Sequence, residues 1–315
     1  MAFEIKNLTV GYKGVAPLVE NVGLIVPDGE LVAIMGRNGV GKSTLLRSLA
    51  GVVRPLAGDV ALDGSSLFSM SARELARNVA FVSTEIVSVA HLRVWDVVST
   101  GRAPYTGWMG TLSAEDISKV SAALEQVGML GFADVPLDRL SDGERQRVMI
   151  ARALAQDTKL ILLDEPTAFL DLPNRYQITI LLRELAHRGG KTVIFSTHDL
   201  ETAMRLSDTV WIMSDRVIAT GAPEDLIAAG RFGAIFRDTD LSLGDAGEIC
   251  LKSAPAKFVR VVCATPLLLK ALERCEVGVD PAAARSVEAL PGGGYALDGS
   301  PVSDIYELSR LIKEL

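Results

Sequence analysis

The sequence predicts an α/β fold built around a mainly parallel sheet. Short apolar runs typical of buried strands alternate with segments of helical periodicity, which favours parallel strands joined by crossover helices. Residues 31–35 form a continuous apolar run, as expected of a strand that is covered on both faces. A glycine-rich loop follows this run and leads into a helix predicted over residues 42–49, so that strand, loop and helix form one unit.

The other elements continue this alternation. Strands are predicted at residues 3–8, 60–62, 79–82, 160–163 and 192–195, and helices at 94–99, 114–127, 143–155 and 174–188. Small and polar residues cluster over 238–247, where we place a domain boundary. Beyond it we predict a strand (258–263), a helix (266–274), a short strand (277–279), a glycine turn (292–294) and an amphipathic helix (305–315). The chain is therefore expected to comprise a large domain at 1–240 and a small α/β module at 248–315.

The composition is that of a globular protein without a membrane span. Of 315 residues, 49% are hydrophobic and 23% are charged, and a formal net charge of −7 without a basic block argues against general nucleic-acid binding. The mean hydropathy of +0.28 is high, yet no stretch approaches the roughly 20 apolar residues of a spanning helix. Glu4 and Lys6 make the N-terminal segment unlike a signal peptide.

The cysteines are sparse and odd in number. Cys250, Cys263 and Cys275 show no CxxC spacing. This pattern predicts buried free thiols in a reducing cytosol rather than disulfides or a zinc site.

The glycine-rich loop fits the pattern GxxxxGK[ST]. Its members are Gly36, Arg37, Asn38, Gly39, Val40, Gly41, Lys42 and Ser43. The glycines let successive backbone N–H groups turn toward phosphate oxygens, and the following helix N-terminus adds favourable partial charge. Lys42 is expected to reach the β- and γ-phosphates and Ser43 to ligate Mg²⁺. The alternative is a glycine turn that only caps a helix, which the strand–loop–helix context disfavours.

Two carboxylates follow the apolar run at residues 160–163. Asp164 is placed to hold Mg²⁺, directly or through water, and Glu165 to orient or deprotonate an attacking water. A strand that ends in solvated acids is the alternative. Two acids after a strand are weak evidence alone, and they become strong evidence for a nucleotide site together with the phosphate loop.

Two further motifs flank predicted helices or strands. Ser141 and Asp142 precede a helix, where they suit either an N-cap or a second anion site facing a γ-phosphate. His198 follows the strand at 192–195, at the same predicted sheet edge as Asp164. A lone histidine is more often structural, but this position favours a role at the ligand.

In their order along the chain, the four motifs resemble those of the ATP-binding-cassette (ABC) ATPases, over roughly residues 1–240. The resemblance implies a RecA-like P-loop NTPase cassette with an antiparallel β subdomain and a helical subdomain at about 85–160. It implies an ATPase that uses ATP and Mg²⁺. Further residues acquire roles by this resemblance alone: Tyr12 stacks on adenine, Thr44 joins the nucleotide site, Asp171 belongs to the D-loop, and His198 contacts the γ-phosphate.

The same resemblance implies partners. The segment at residues 140–144 resembles the family's signature sequence. Two copies are expected to pair head to tail, so that the signature residues of one copy face Gly39 and Lys42 of the other. These signature residues are Ser141, Asp142, Gly143 and Glu144. Integral-membrane permease subunits, and indirectly a periplasmic or surface solute-binding protein, would complete an importer. The protein would then act as a peripheral subunit at the cytoplasmic face of the cell membrane.

The segment at residues 94–108 is similar to cassettes of ferric-siderophore, haem and vitamin B12 importers. By this resemblance it lies near the groove that receives the permease's coupling helix. The alternative is that Trp95, Tyr105 and Trp108 are core aromatics, since aromatic residues are commonly buried.

One departure from the family bears on catalysis, whereas Asp142 and Glu144 differ from the commonest signature as tolerated variants. A glutamine normally follows the strand at 79–82, whereas here Thr84 or Glu85 takes its place. Glu85 can accept from water and bind Mg²⁺ through oxygen, so we count it among the catalytic candidates.

Two other functions stay open from sequence: a soluble ABC ATPase acting on DNA or ribosomes, and a nucleotide-gated sensor. The module at 248–315 is either a packing or dimer-stabilising appendage or a regulatory ligand site.

Overall fold

The computed structural model describes residues 3–84, 92–244, 247–252 and 255–314. The chain divides into two units, Met1–Ile235 and Phe236–Leu315. This division falls a few residues before the small polar segment at 238–247 in which we placed it.

The first unit contains two sheets. Its strands are β1 (Phe3–Val10), β2 (Val19–Val26), β3 (Leu31–Gly36), β4 (Ala57–Leu62), β5 (Ser65–Ser66), β6 (Val79–Val82), β7 (Leu160–Leu163), β8 (Thr192–Ser196), β9 (Thr209–Ser214) and β10 (Val217–Gly221). Its α-helices are α1 (Lys42–Leu49), α2 (Ala72–Asn78), α3 (Val94–Ser99), α4 (Ala114–Gln126), α5 (Asp142–Ala155), α6 (Leu172–His187), α7 (Leu200–Leu206) and α8 (Pro223–Ala228). Short 3₁₀ turns cover Leu67–Ser69, Thr100–Arg102, Leu130–Phe132, Leu137–Arg139 and Arg231–Ala234.

The larger sheet positions the candidate site. Its strand order is β10-β9-β3-β8-β7-β6, and all neighbours pair in parallel except the antiparallel β10–β9 edge. Strands β3, β7 and β8 are buried along their whole length, which confirms the prediction of strands covered on both faces. Because parallel strands share one carboxyl edge, the loops after β3, β7 and β8 meet there.

The smaller sheet is antiparallel, in the order β2-β1-β4-β5. Phe3 and Leu8 from this sheet share one apolar cluster with Val32 of β3 and Leu45 of α1. This cluster fixes α1, and with it the loop that precedes α1, against both sheets.

Helices α3, α4 and α5 form the helical part of the first unit. The buried Arg102 joins these elements, because its Nε lies 2.8 Å from Asp116 Oδ1 in α4 and its Nη1 donates to Ala155 O at the end of α5. Asp116 Oδ2 also accepts from the backbone and hydroxyl of Ser113, the N-cap of α4. The Ser113 hydrogen bonds, reinforced by Arg102, lower the pKa of Asp116 to about 2.

Replacing Asp116 with asparagine is expected to lower the free energy of unfolding of this unit by about 3 kcal/mol, because a buried guanidinium loses its counter-charge. The native pKa lies below the ordinary value of 3.8, so the stabilisation is present above pH 4 and is lost as the pH falls toward about 2. Urea unfolding followed by tryptophan fluorescence measures this unfolding free energy, since Trp95, Trp108 and Trp211 all lie in the first unit.

The exposed Asp134, which pairs with Arg93, provides the matched control. Asp134→Asn is expected to change the unfolding free energy by less than about 1 kcal/mol. Equal losses in both variants would contradict a special contribution from the buried pair.

The second unit has its own apolar core. Its strands are β11 (Leu241–Leu243), β12 (Ile249–Leu251), β13 (Lys257–Cys263), β14 (Val277–Val279), β15 (Ser286–Ala289), β16 (Tyr295–Leu297) and β17 (Ser300–Val302), and its helices are α9 (Pro266–Arg274) and α10 (Ile305–Lys313). A five-stranded sheet has the order β14-β13-β15-β16-β17, and β11 pairs with β12 separately. Val259, Val287, Leu272 and Leu308 pack in the core between the sheet and both helices.

The expectation of buried thiols is wrong, and the alternative of core aromatics is excluded for Trp108. Cys263 is exposed, and Cys250 and Cys275 are only half-buried, although all three thiols are free. Cys263 is the last residue of β13 and follows a register irregularity after Val261 in the pairing with β15. Trp108 is 98% exposed and so is not a core aromatic, whereas Trp95 and Tyr105 are half-buried. Trp108 lies in the loop before α4, outside any packed face.

Candidate nucleotide site

The phosphate loop, residues 36–43, joins β3 to α1 as predicted. Gly41 is the N-cap of α1 with φ +108°, and a Cβ there would meet Leu18 at 2.9 Å, so the position requires glycine. Lys42 is 5% exposed, and its Nζ donates to Gly36 O at 3.0 Å. Burial lowers the pKa of the Lys42 ammonium, while Glu165 and Asp164 act in the opposite direction. The Gly36 carbonyl therefore holds the Lys42 ammonium against the phosphate loop.

The Asp164 side chain contacts Ser43, the last residue of the phosphate loop. Its Oδ1 accepts from Ser43 Oγ at 3.0 Å and from Ser196 Oγ at 2.8 Å. Asp164 is 1% exposed, and its Oδ2 is buried without a hydrogen-bond partner among the described residues. Because a buried carboxylate oxygen needs a partner, this free oxygen beside a hydroxyl fits Mg²⁺, a cation that prefers oxygen ligands.

Glu165 and His198 form a contact between the ends of β7 and β8. His198 Nε2 pairs with Glu165 Oε1, and the two side chains are 45% and 25% exposed. Glu165 lies in the left-handed region with φ +48°, and its backbone N–H donates to Ser196 Oγ at 2.9 Å. A partly exposed carboxylate beside an imidazole can hold and orient a water molecule.

One cleft combines the phosphate loop with the residues after β8. It is lined by Gly36, Arg37, Asn38, Thr197 and His198, together with two apolar neighbours. A neighbouring hollow contains Glu165 and His198 as well as Asp199. The structure therefore brings together the loop, Asp164, Glu165 and His198, as expected of strands that end at one edge.

The signature residues lie at the start of α5. Ser141 is its N-cap, and Ser141 and Glu144 form a reciprocal capping box in which Ser141 Oγ lies 2.7 Å from Glu144 Oε2. The Ser141 hydrogen bonds lower the pKa of Glu144. Asp142 pairs with Arg145 at 3.0 Å, and a Cβ on Gly143 would approach Asn174 at 3.3 Å. Within one chain the side chains of Ser141, Asp142 and Glu144 bond to residues of this same segment, and the Gly143 backbone lies close to Asn174 of α6.

Tyr12, Asp171 and Thr84 each lie in a different part of the first unit. Tyr12 is 60% exposed, with its hydroxyl 3.2 Å from Thr44 Oγ1 at the start of α1. Asp171 caps α6 by accepting from Asn174 N at 3.0 Å. Thr84 lines a hollow that also contains Asp142 and Glu165. Glu85 lies outside the described residues.

The sequence did not indicate a role for Ser196, whose hydroxyl bonds to the Asp164 carboxylate and to the Glu165 backbone N–H. A polar residue at the end of the otherwise apolar run at 193–195 is the signal that could have indicated it. Its partners become visible only through the pairing of β7 with β8.

A glycine-rich loop between strand and helix, with two acids at the end of a neighbouring strand, defines a nucleoside-triphosphatase of the P-loop class. A family profile described as "ABC transporter" matches residues 19–168. The chain belongs to the ABC transporter family and is an ATPase.

Several curated relatives are similar over most of their length. The petrobactin import ATP-binding protein FpuD of Bacillus anthracis is 39% identical over 265 residues, covering 82% of this chain and 96% of that protein. The ferric enterobactin transport ATP-binding protein FepC of Escherichia coli K12 is 36% identical over 225 residues, covering 71% of this chain and 83% of FepC.

Solved structures agree on the fold. The cbiO1 protein from Clostridium perfringens, part of the ABC transporter complex cbiONQ, superposes with a TM-score of 0.64 at 29% identity, covering 73% of this chain and 92% of that one. The ATP-binding cassette MJ0796, a dimer bound to ADP and Pi, gives a TM-score of 0.61 at 30% identity, covering 71% and 99%.

Proposed function

We propose that this protein is the ATP-hydrolysing subunit of an importer that moves an iron–siderophore, haem or cobalamin type of solute. The observation that carries the proposal is its 39% identity to a petrobactin import ATP-binding protein over nearly the whole length of that relative. The geometry around Lys42, Asp164 and Glu165 supports the hydrolytic part of the proposal.

The proposed chemistry needs positioning and charge rather than covalent catalysis. Lys42 and the loop N–H groups bind the phosphates, with Tyr12 against the base. Ser43 and Asp164 would hold Mg²⁺, which when bound neutralises phosphate charge. Glu165 orients and polarises the attacking water, and His198 keeps the Glu165 carboxylate in place through its contact with Oε1.

A second copy of the chain is the proposed source of the remaining contacts. The phosphate loop covers one side of a nucleotide, and Ser141 with the N-terminus of α5 offers a second anion site. In a head-to-tail pair, Ser141 and Gly143 of one copy face the phosphate loop of the other. Asp171, which caps α6 beside Asn174, would lie near this pair interface.

The proposed place of the protein is the cytoplasmic face of the cell membrane, bound to permease subunits. Across the part of the chain that the structure describes, none of the helices combines the length and the apolar character needed to traverse a bilayer. Attachment to the membrane through the permease is part of the proposal. The fully exposed Trp108 lies in the segment that we place near the permease's coupling helix.

Isolation of the tagged protein from native membranes in mild detergent, followed by mass spectrometry, tests this proposal. The expected result is enrichment of a polytopic permease, with a solute-binding protein recovered at lower yield. A matched isolation from the soluble fraction serves as the control. Recovery of soluble partners alone, from both fractions, would contradict the importer role.

A further inference from the structure

Ser196 occupies a position that joins the two acids of the site. It is the last residue of β8 and is 0% exposed. Its Oγ lies 2.8 Å from Asp164 Oδ1 and 2.9 Å from the backbone nitrogen of Glu165. The hydroxyl has one hydrogen to donate and lone pairs to accept, so it can serve both partners at the same time.

The bond donated to Asp164 determines which carboxylate oxygen stays free. Oδ1 receives two hydroxyl donors, Ser196 and Ser43, whereas the buried Oδ2 has no partner among the described residues. Two donors on one oxygen hold the carboxylate plane and leave Oδ2 as the available ligand. Outer-shell hydrogen bonds of this kind orient the groups that bind a cation.

The bond accepted from Glu165 holds an unfavourable backbone conformation. A glutamate at φ +48° lies in the left-handed region, which residues with a Cβ rarely adopt. The Ser196 hydroxyl satisfies the Glu165 N–H in this conformation, and the Glu165 side chain then meets His198. Without the hydroxyl this part-buried N–H loses its acceptor, and the turn loses the bond that fixes it.

We propose that Ser196 is a positioning residue that sets the free oxygen of Asp164 for Mg²⁺ and the carboxylate of Glu165 for water. The inference rests on the roles proposed above for those two acids. Ser196 acts only through Asp164 and Glu165, without contacting the nucleotide or the attacking water itself.

Ser196→Ala tests the inference through two readouts. The Mg²⁺ concentration that gives half-maximal hydrolysis is expected to rise about 10-fold, and kcat at saturating Mg²⁺ to fall about 10-fold. KM for ATP at saturating Mg²⁺ is expected to stay within about twofold, because the phosphate loop is untouched. Calorimetric titration of ATP with and without Mg²⁺ gives an independent readout: the Mg²⁺-dependent gain in affinity shrinks, and the affinity in EDTA is unchanged.

Ser207→Ala is the matched control, since Ser207 is also buried and its hydroxyl has no partner among the described residues. Ser207→Ala is expected to leave both readouts at wild-type values. If Ser196→Ala loses its fold, Ser196→Cys keeps the side-chain size with a weak donor and is expected to shift both readouts in the same direction. Wild-type Mg²⁺ dependence in the folded Ser196 variant overturns the inference, as does an equal shift in Ser207→Ala.

Glu165→Gln, measured alongside, separates this inference from the proposed function. If Glu165→Gln loses turnover while Ser196→Ala behaves as wild type, only the role of Ser196 is refuted. If Glu165→Gln keeps its turnover, the proposed role of Glu165 is refuted and the Ser196 inference falls with it.

Discussion

Replacing Glu165 with glutamine is expected to lower the maximal rate of ATP hydrolysis about 1,000-fold while leaving the affinity for ATP nearly unchanged. The amide keeps the size of the side chain but can no longer accept a proton from the attacking water. Glu165 follows β7 and contacts His198, whereas phosphate binding is assigned to the loop after β3. The loss should therefore appear in kcat and not in ATP binding.

A coupled phosphate-release assay and fluorescence titration with an ATP analogue measure the two effects. Glu184→Gln is a suitable control, since Glu184 lies on the exposed face of α6 and pairs only locally with Arg188. That variant should hydrolyse ATP at the wild-type rate. Near-normal turnover in Glu165→Gln would remove Glu165 from the catalytic step.

Replacing Lys42 with alanine is expected to weaken ATP binding about 100-fold, which corresponds to about 2.7 kcal/mol. The Lys42 ammonium is 5% exposed, and its bond to Gly36 O keeps it at the phosphate loop. Because the Lys42 side chain is almost fully buried, its charge interacts strongly with a bound phosphate. Water cannot replace that charge in the alanine variant. Hydrolysis at low ATP concentration should fall at least as much as the affinity.

Lys119→Ala provides the comparison, because Lys119 is an exposed lysine that pairs with Asp157 away from the loop. Its ATP affinity should equal that of the wild type. Calorimetry with ATP measures both variants, and a melting curve shows that each is folded. Unaltered affinity in folded Lys42→Ala protein would contradict phosphate binding by this loop.

The elements around the phosphate loop were predictable because their signals are local. The strand at 160–163 and the helix at 42–49 are found where the sequence predicts them. The predicted helix at 174–188 begins at Leu172, because Asp171 caps it. The family expectation of a P-loop cassette fold is confirmed, including an antiparallel sheet beside the mainly parallel one.

Other elements depend on partners that are distant in sequence. Strand β2 carries an interior glycine, and β9 is a short apolar run, which periodicity alone cannot distinguish from a buried helix segment. Both are fixed by pairing, β2 with β1 and β9 with β3. The roles assigned to Asp171 and Tyr12 came from the family resemblance and stay predictions.

Side-chain contacts were the least predictable part of the site. Ser196 reaches Asp164 only because β8 lies beside β7, a register that no short sequence pattern encodes. The exposure of Cys263 likewise accompanies a register irregularity after Val261 in the pairing of β13 with β15, which its apolar neighbours do not indicate. Spacing predicts which residue types meet at a sheet edge, whereas the atoms in contact depend on the packed strands.

Whether two copies share the nucleotide site is measured by the mass of the Glu165→Gln protein in sedimentation velocity, with ATP and Mg²⁺ compared with ADP and Mg²⁺. A site completed by a second copy predicts a stable species of twice the 33.6 kDa chain mass with ATP. With ADP, the single-chain mass is expected. Ser141→Arg in the same background should abolish the ATP-dependent species, because it blocks the N-terminus of α5. The same mass with both nucleotides would contradict a nucleotide site shared between two copies.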